Sequence, residues 1–406
     1  MWTDSQPAEW RLINTTLVLP DRLVGGGALH VRDGWIDAVG RSGDLLGFDG
    51  AVVDAKGAFA APGFIDMHVH GGGGADFMDG FPGSFATAIG AHLRHGTTSI
   101  VPTSTVARHE QTLRFLELCH AYRNIEPAFP FARVLGAHLY GPYFAEDKVG
   151  CHPREEARPP TPAEYEQYLA FAGDGTLLTA TCAPELSGAA DFYRAARERG
   201  VRLNAGHSNA TWDEMAAAHE LGVRHVDHLF CAMSNYVSVR SRFGPPMRGG
   251  MMEYVLASDD VTTEVIADGR HLAPELLRFA LKLLGVERVA LVTDCMRALD
   301  EPPGTYTFGA LDGGEPILSD GAVGLMPDGK SLASSVRGMD FMVRHMHKVA
   351  GVDLPTAVRM ASLTPARILG VDAELGSLEV GKRADVVLLG TDLGVRLVWA
   401  GGVPVS

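Results

Sequence analysis

His68 and His70 are the residues in this sequence whose type and spacing most directly suggest chemistry. They close the run Pro62-Gly63-Phe64-Ile65-Asp66-Met67-His68-Val69-His70, which reads as a short buried strand. Strand side chains alternate faces, so residues two apart point the same way. The two imidazoles therefore project together from the strand's C-terminal end, and the glycines from Gly71 to Gly74 leave space beside them. Imidazoles paired in this way are suited to a metal ion, although any exposed strand end can carry two histidines. Three more strand-like runs end in a His or an Asp. His207 closes Leu203-Asn204-Ala205-Gly206-His207, His228 closes Val226-Asp227-His228, and Asp294 closes Leu291-Val292-Thr293-Asp294. Four histidines and a carboxylate match zinc or a related divalent ion better than Mg²⁺ or Ca²⁺, which prefer oxygen shells. An ion there would lower the pKa of a water to about 7 and polarise a carbonyl. Asp294 is then placed to shuttle a proton from water to a leaving nitrogen. His95, His219 and His225 lie in helical stretches or at a strand start and read as structural or surface residues.

These residues need a frame that brings strand ends together. Eight apolar runs, at 64–70, 98–103, 134–140, 177–183, 202–207, 225–230, 263–267 and 289–293, alternate with helical stretches such as 212–221 and 274–284. Thr211 stands three residues before Glu214, a capping box that opens one of those helices. Eight buried strands alternating with helices predict an α/β fold, a (β/α)8 TIM-like barrel whose strand C-terminal ends converge on one mouth. A Gly-rich hairpin-like stretch follows at 305–329, then helices at 335–349 and 354–368. The first ~60 residues and the last thirty or so read as short strands and turns, with Asp33-Gly34 a hairpin signal. The expected organisation is a small β-sandwich from both chain ends (1–60 and 373–406) flanking the barrel at 61–372.

Composition narrows the function classes. Length alone would allow two or three domains in 406 residues, but one barrel absorbs over 250. Hydrophobic content of 46% with 21% charged residues is that of a soluble globular protein. A net charge of −14 argues against nucleic acid or an anionic membrane as partner. Residues 1–9 are polar and do not resemble a secretory leader, and no apolar run reaches the length of a membrane span. Five scattered cysteines, an odd number, suit free thiols and a cytoplasmic location.

The chain also resembles a known family over essentially its whole length. Pro62-Gly63-Phe64-Ile65-Asp66, Ala183-Pro184-Glu185, Gly206-His207-Ser208-Asn209-Ala210-Thr211 and Ile266-Ala267-Asp268-Gly269-Arg270-His271 carry the likeness. So do Leu291-Val292-Thr293-Asp294, Leu332-Ala333-Ser334-Ser335, Thr364-Pro365-Ala366 and Gly381-Lys382-Arg383-Ala384-Asp385. These motifs resemble the amidohydrolase superfamily and, within it, the N-acetylglucosamine-6-phosphate deacetylases. The resemblance implies metal-assisted hydrolysis of an acetamide on an amino-sugar phosphate, with one or two divalent ions, zinc foremost. It implies that His207 and His228 are metal ligands and that Asp294 is both ligand and catalytic acid/base. His68 and His70 match the His-x-His of members that hold a second metal. His271 is expected to contact substrate and steady the carbonyl, and His152 to touch the sugar. Leu332, Ala333 and Ser334 fall in a motif expected beside the substrate. A homodimer is implied as well, because the family's phosphate-binding arginine often comes from the neighbouring subunit.

Two positions depart from that pattern. The family's His-Leu-Glu-Gly-Pro is here His138-Leu139-Tyr140-Gly141-Pro142, so a tyrosine replaces a metal-binding Glu. A phenol with a pKa near ~10 stays protonated unless a metal lowers it. Either Tyr140 ligates as phenolate, or another carboxylate such as Glu185 moves in, or the metal sits with His68, His70 and Asp294. Glu185 reads equally well as a structural, hydrogen-bonded residue. The family's sugar-binding Asn-Ala is here Cys231-Ala232, and a thiol is a weak hydrogen-bonding group. Arg240, Arg242 and Arg248 lie between Tyr236 and Glu253, where the family places a phosphate-binding arginine; Arg242 and Arg248 are the candidates carried forward. The function expected is hydrolysis of the acetamide of an N-acetyl amino sugar, N-acetylglucosamine 6-phosphate first. Its rivals are an amidohydrolase for another N-acyl or cyclic amide, and a catalytically silent sugar-phosphate-binding paralogue.

Overall fold

The Val/Ile/Leu-rich runs become parallel strands buried on both faces, as a sheet covered by crossover helices requires. The computed structural model describes residues 9–45, 48, 50–125, 132–329 and 331–405. Most of the segment read for a leader, residues 1–8, lies outside these. The barrel strands are Phe64–Val69, Thr97–Pro102, Ala137–Tyr140 (with Arg133–Val134 just before it), Leu177–Thr181, Arg202–Ala205, Val223–Val226, Thr262–Ile266 and Val289–Val292. We call them the first to eighth barrel strands. Ladders join the third to the eighth in sequence, and a shorter sheet joins the first, the second and Arg133–Val134. A parallel bridge between Thr103 and His138 links the two sheets. The first and eighth strands meet through the Asp294 amide, which donates to the His68 carbonyl at 2.9 Å. Buried Asp66 reinforces the seam by accepting from the Thr293 hydroxyl at 2.5 Å and its amide at 3.2 Å.

The run read at 134–140 divides between two sheets, the helix read over 335–349 starts only at Met339, and two further differences have a clear backbone cause. The sixth strand ends at Val226, and Asp227 to Phe230 turn away because His228 and Phe230 have φ of 24° and 77°, which extended backbone excludes. The helix expected over 354–368 is split into Leu354–Met360 and Leu363–Leu369. Pro365 has no N–H to give the Ala361 carbonyl, and that carbonyl instead accepts from Ile65 of the first strand at 2.9 Å. The helix Trp212–Glu220 forms as read, with both halves of its capping box made between Thr211 and Glu214.

Strands from both chain ends share one eight-stranded sheet. Phe59–Pro62 pairs with Glu9–Val18 on one side and with Val386–Leu389 on the other. Trp10 and Trp399 stack at 5.0 Å in its core, and the Trp10 indole donates to the Gly402 carbonyl. A four-stranded antiparallel sheet, Gly304–Phe308 to Leu332–Ser335, follows the eighth barrel strand and lies against the mouth through a bridge between Cys295 and Ser335. No helix among the described residues is long and apolar enough to cross a membrane.

Candidate active site at the barrel mouth

The five residues read as metal ligands come from four strand ends and converge. His207, His228 and Asp294 each adopt positive φ (45°, 24° and 47°), so the chain turns sharply where each side chain enters the mouth. Such backbone is held by its surroundings and gathers at functional sites. His68 and His70 are wholly buried. Asp294 Oδ1 lies 3.2 Å from His70 Nε2 and 3.7 Å from His68 Nε2.

The hydrogen bonds behind these rings fix which nitrogen faces inward. His68 Nδ1 is bound by the Glu264 carboxylate, and His70 Nδ1 donates to the Thr103 carbonyl at 3.3 Å. Both rings thus present Nε2 toward Asp294, and His68 Nε2 is buried with no hydrogen-bond partner. The ligand atoms of His68, His70 and Asp294 lie within 4.8 Å of one another. An inward lone pair, an orphaned buried nitrogen and a carboxylate are a donor set that a divalent cation fits. Burial pulls the His68 imidazole down, but Glu264, with Asp294 and Asp227 behind it, outweighs that and holds it at about 9. Burial raises the Asp294 carboxyl, but His70, His68 and His228 outweigh it and keep the group ionised.

The other half of the mouth is different. His207 Nδ1 is tied to the Lys148 carbonyl at 2.5 Å, and its ring stacks on Phe144 at 4.2 Å. His207 Nε2 and His228 Nε2 face each other at 3.1 Å. Tyr140 reaches this point: its hydroxyl lies 2.5 Å from His228 Nε2. Burial, then the nearby Asp227, Asp294 and Glu264 charges, push the phenol well above its usual range. With no ion beside it, the phenol therefore stays a neutral O–H and caps His228. Burial and the charge on His68 bring His228 down to about 4, against the pull of Asp294. Glu185 supplies no replacement carboxylate, because its oxygens accept from the Ser208 hydroxyl at 2.7 Å and the Asn209 amide at 2.5 Å, bracing the loop after His207.

Most of the expected substrate contacts line one cavity of about 290 Å³. His152, Cys231, Ala232, His271, Tyr140, Leu332 and Ser334 stand on its wall with His70, His207, His228 and Asp294. His152 Nδ1 accepts from the Val106 amide at 3.2 Å, which leaves Nε2–H as its donor. His271 Nδ1 donates to Asp268 at 2.7 Å; burial lowers this ring, but Asp268 and then Asp294 raise it above its ordinary value. Burial, Asp294 and Asp268 push the Cys231 thiol up to about 12, so it stays protonated. Ala333 is buried in the apolar cluster beneath the mouth rather than on the cavity wall. Arg242 and Arg248 are also off the wall: both are exposed, and Arg242 donates to the Asn209 carbonyl. Lys148 is a cationic residue on the cavity wall. Sequence reasoning missed Glu264 and Asp227. Both are charged residues inside apolar strand runs, a signal that was present and passed over.

A parallel barrel with a histidine–carboxylate cluster and an adjoining cavity at its mouth is a hydrolase scaffold with candidate ligands for a divalent ion. The chain belongs to the amidohydrolase family, whose model matches residues 59–405. Members of that family generally depend on a divalent metal, in keeping with the candidate ligand groups found here. The chain is 35% identical over 384 residues to an N-acetylgalactosamine-6-phosphate deacetylase of Escherichia coli O157:H7, covering 92% of this chain and 96% of that protein. It is 33% identical to an N-acetylglucosamine-6-phosphate deacetylase of Vibrio furnissii, over 84% and 81% of the two chains. Among solved structures, a mutant N-acetyl-D-glucosamine-6-phosphate deacetylase of Mycobacterium smegmatis, in complex with N-acetyl-D-glucosamine-6-phosphate, matches with a TM-score of 0.87 at 30% identity. The match covers 99% of this chain and 100% of that one.

Proposed function

We propose that this chain hydrolyses the acetamide of an N-acetyl hexosamine 6-phosphate, N-acetylglucosamine 6-phosphate first, to the amine and acetate. The observation that carries this reading is the cavity in which Asp294, His271, His152 and the histidine cluster face a single space, taken with full-length likeness to deacetylases of both hexosamine phosphates. One divalent ion, zinc by ligand type, would be held by His68, His70 and Asp294. When bound, it supplies Lewis acidity to the scissile carbonyl and to an attacking water. Asp294 Oδ1 faces the histidines, and the carboxylate takes the water's proton and passes it to the leaving nitrogen. His271, held by Asp268, donates to the carbonyl oxygen as charge builds there. His152 offers its Nε2–H to a sugar hydroxyl, and Lys148 meets the phosphate from within the chain.

A homodimer belongs to this reading. The segment carrying Arg240, Arg242 and Arg248 also exposes Tyr236, Val237, Phe243 and Met247, an apolar face through which one subunit could lend an arginine to the other. So do a cytoplasmic location, to which five free cysteines are suited, and a barrel at 61–372 flanked by a β-sandwich of 1–60 and 373–406. The test is acetate release from the 6-phosphates of N-acetylglucosamine and N-acetylgalactosamine, each beside its unphosphorylated sugar. Turnover of a phosphorylated sugar supports the proposal. Metal-loaded protein that ignores both phosphates but cleaves another N-acyl compound favours the second reading, a different amide substrate. The two neutral groups at the departing positions, Tyr140 and Cys231, are the observation behind that alternative.

A further inference from the structure

We infer that Glu264 is the positioning residue of the metal site, locking His68 in the tautomer and orientation that a cation needs. This rests on the reading of His68 as a ligand. Glu264 is wholly buried in the middle of the seventh barrel strand, among Thr263, Val265 and Ile266. A carboxylate is kept in such a place only when its oxygens are fully used. Here Oε1 binds His68 Nδ1 and accepts from the His228 amide at 3.3 Å, while Oε2 meets His225 Nε2 at 3.3 Å. His225 spans from there to Thr262 Oγ1 at 2.8 Å, and that hydroxyl gives its own hydrogen to the Arg224 carbonyl at 3.0 Å. His225 Nδ1 therefore donates to that hydroxyl, and its Nε2 is turned to Glu264, which stands between the two rings.

The consequence falls on His68. A carboxylate on Nδ1 keeps a proton there, so the proton that a cation displaces is the one on Nε2 facing Asp294, and it makes that nitrogen a stronger donor once freed. The same oxygen holds the backbone of His228, so one side chain sets two histidines that enter the mouth from the first and sixth strands. Glu264 is not itself a ligand of a second buried ion, although its oxygens lie near Asp227 and His68. Asp227 is taken by Asn204 at 2.9 Å and Thr181 at 2.7 Å, and Glu264 by the three groups above. Neither carboxylate has an oxygen to spare.

The experiment compares Glu264→Gln, Glu264→Asp and His68→Ala with the parent. Zn²⁺ affinity is measured by competition with a chromophoric chelator, and histidine-selective ¹⁵N NMR of the metal-free protein, followed to a pH above 9 where the rings are neutral, reads the ring tautomers. Thermal unfolding checks that each variant folds. Glu264→Gln should weaken Zn²⁺ binding about 10- to 100-fold and move the His68 ring signal, which is identified by its loss in His68→Ala. Glu264→Asp keeps the charge and should recover part of that affinity, which a residue acting only on the fold would not do. If His68→Ala loses the ion while both Glu264 variants bind as tightly as the parent, the positioning role is wrong and the ligand reading stands. If His68→Ala keeps the ion, the ligand reading fails and this inference falls with it.

Discussion

Replacing Tyr140 by Glu puts a carboxylate where the phenol now caps His228. The position is 1% exposed, and the ring packs on His68 at 4.4 Å and Phe144 at 4.8 Å between centroids. In the metal-free variant the new charge would sit near Asp227, Asp294 and Glu264, the groups that already act on the phenol. An uncompensated buried ion costs several kcal/mol, here taken as about 3. The space left by the smaller side chain adds about 1 kcal/mol. The metal-free variant should therefore be less stable than the parent by roughly 4 kcal/mol. With an ion most of this deficit is recovered, because the carboxylate joins His207 and His228 as a third ligand and His228 is freed of its cap. At a free ion concentration 100-fold above Kd, binding returns about 2.7 kcal/mol. We expect the parent to hold one ion per chain and Tyr140→Glu to hold two. The assay is elemental analysis after dialysis, paired with unfolding in the presence of chelator and of Zn²⁺. A folded variant with the parent's ion count, affinity and metal-free stability would refute the assignment of Tyr140 as a cap on an otherwise vacant ligand pair.

Four shorter predictions accompany it. His70→Ala should lose the bound ion while His207→Ala keeps it, read as ions per chain; equal loss in both would place the ion between the two halves. Asp294→Asn should lower acetate release about a hundredfold or more, because the amide cannot accept the proton, and near-normal turnover would remove Asp294 as the shuttle. His95 lies between Asp300 at 2.9 Å and Asp340 at 2.8 Å; burial lowers its pKa, but these carboxylates outweigh that and raise it from 6.5 to about 9. Its contribution, at most about 3 kcal/mol, is full below pH 6.5 and lost as pH rises through about 9, so urea unfolding of the parent and His95→Gln should converge at high pH. Gly63→Ala should lower the unfolding midpoint, costing about 1–3 kcal/mol by overpacking, because an added Cβ would lie 2.1 Å from Thr98 Oγ1 in the core.

The parts of this site that could be read from the chain are those set by near neighbours. His68 and His70 share a face because alternation along a strand is local. Thr211 and Glu214 announce a helix start because a cap needs only four residues. The eight-run alternation implies the barrel because covered parallel strands leave few other arrangements. Local rules misjudged two ends. The sixth strand stops early because two residues of its turn take positive φ, and the helix expected over 354–368 breaks where the Ile65 N–H, from the first strand, claims the Ala361 carbonyl that Pro365 cannot reach.

That a histidine–carboxylate set exists, and that strand ends carry it, is written in the order of the residues. How that set divides depends on contacts between distant parts of the chain. Tyr140 and His228 are 88 residues apart, Glu264 and His68 are 196 apart, and Asp66 and Thr293, which seal the barrel, are 227 apart. A hydrogen bond between side chains that distant depends on barrel closure and strand stagger, which no local pattern encodes. That closure places a neutral phenol against one histidine pair and a buried carboxylate behind the other, and so separates the half of the mouth suited to a cation from the half that is capped.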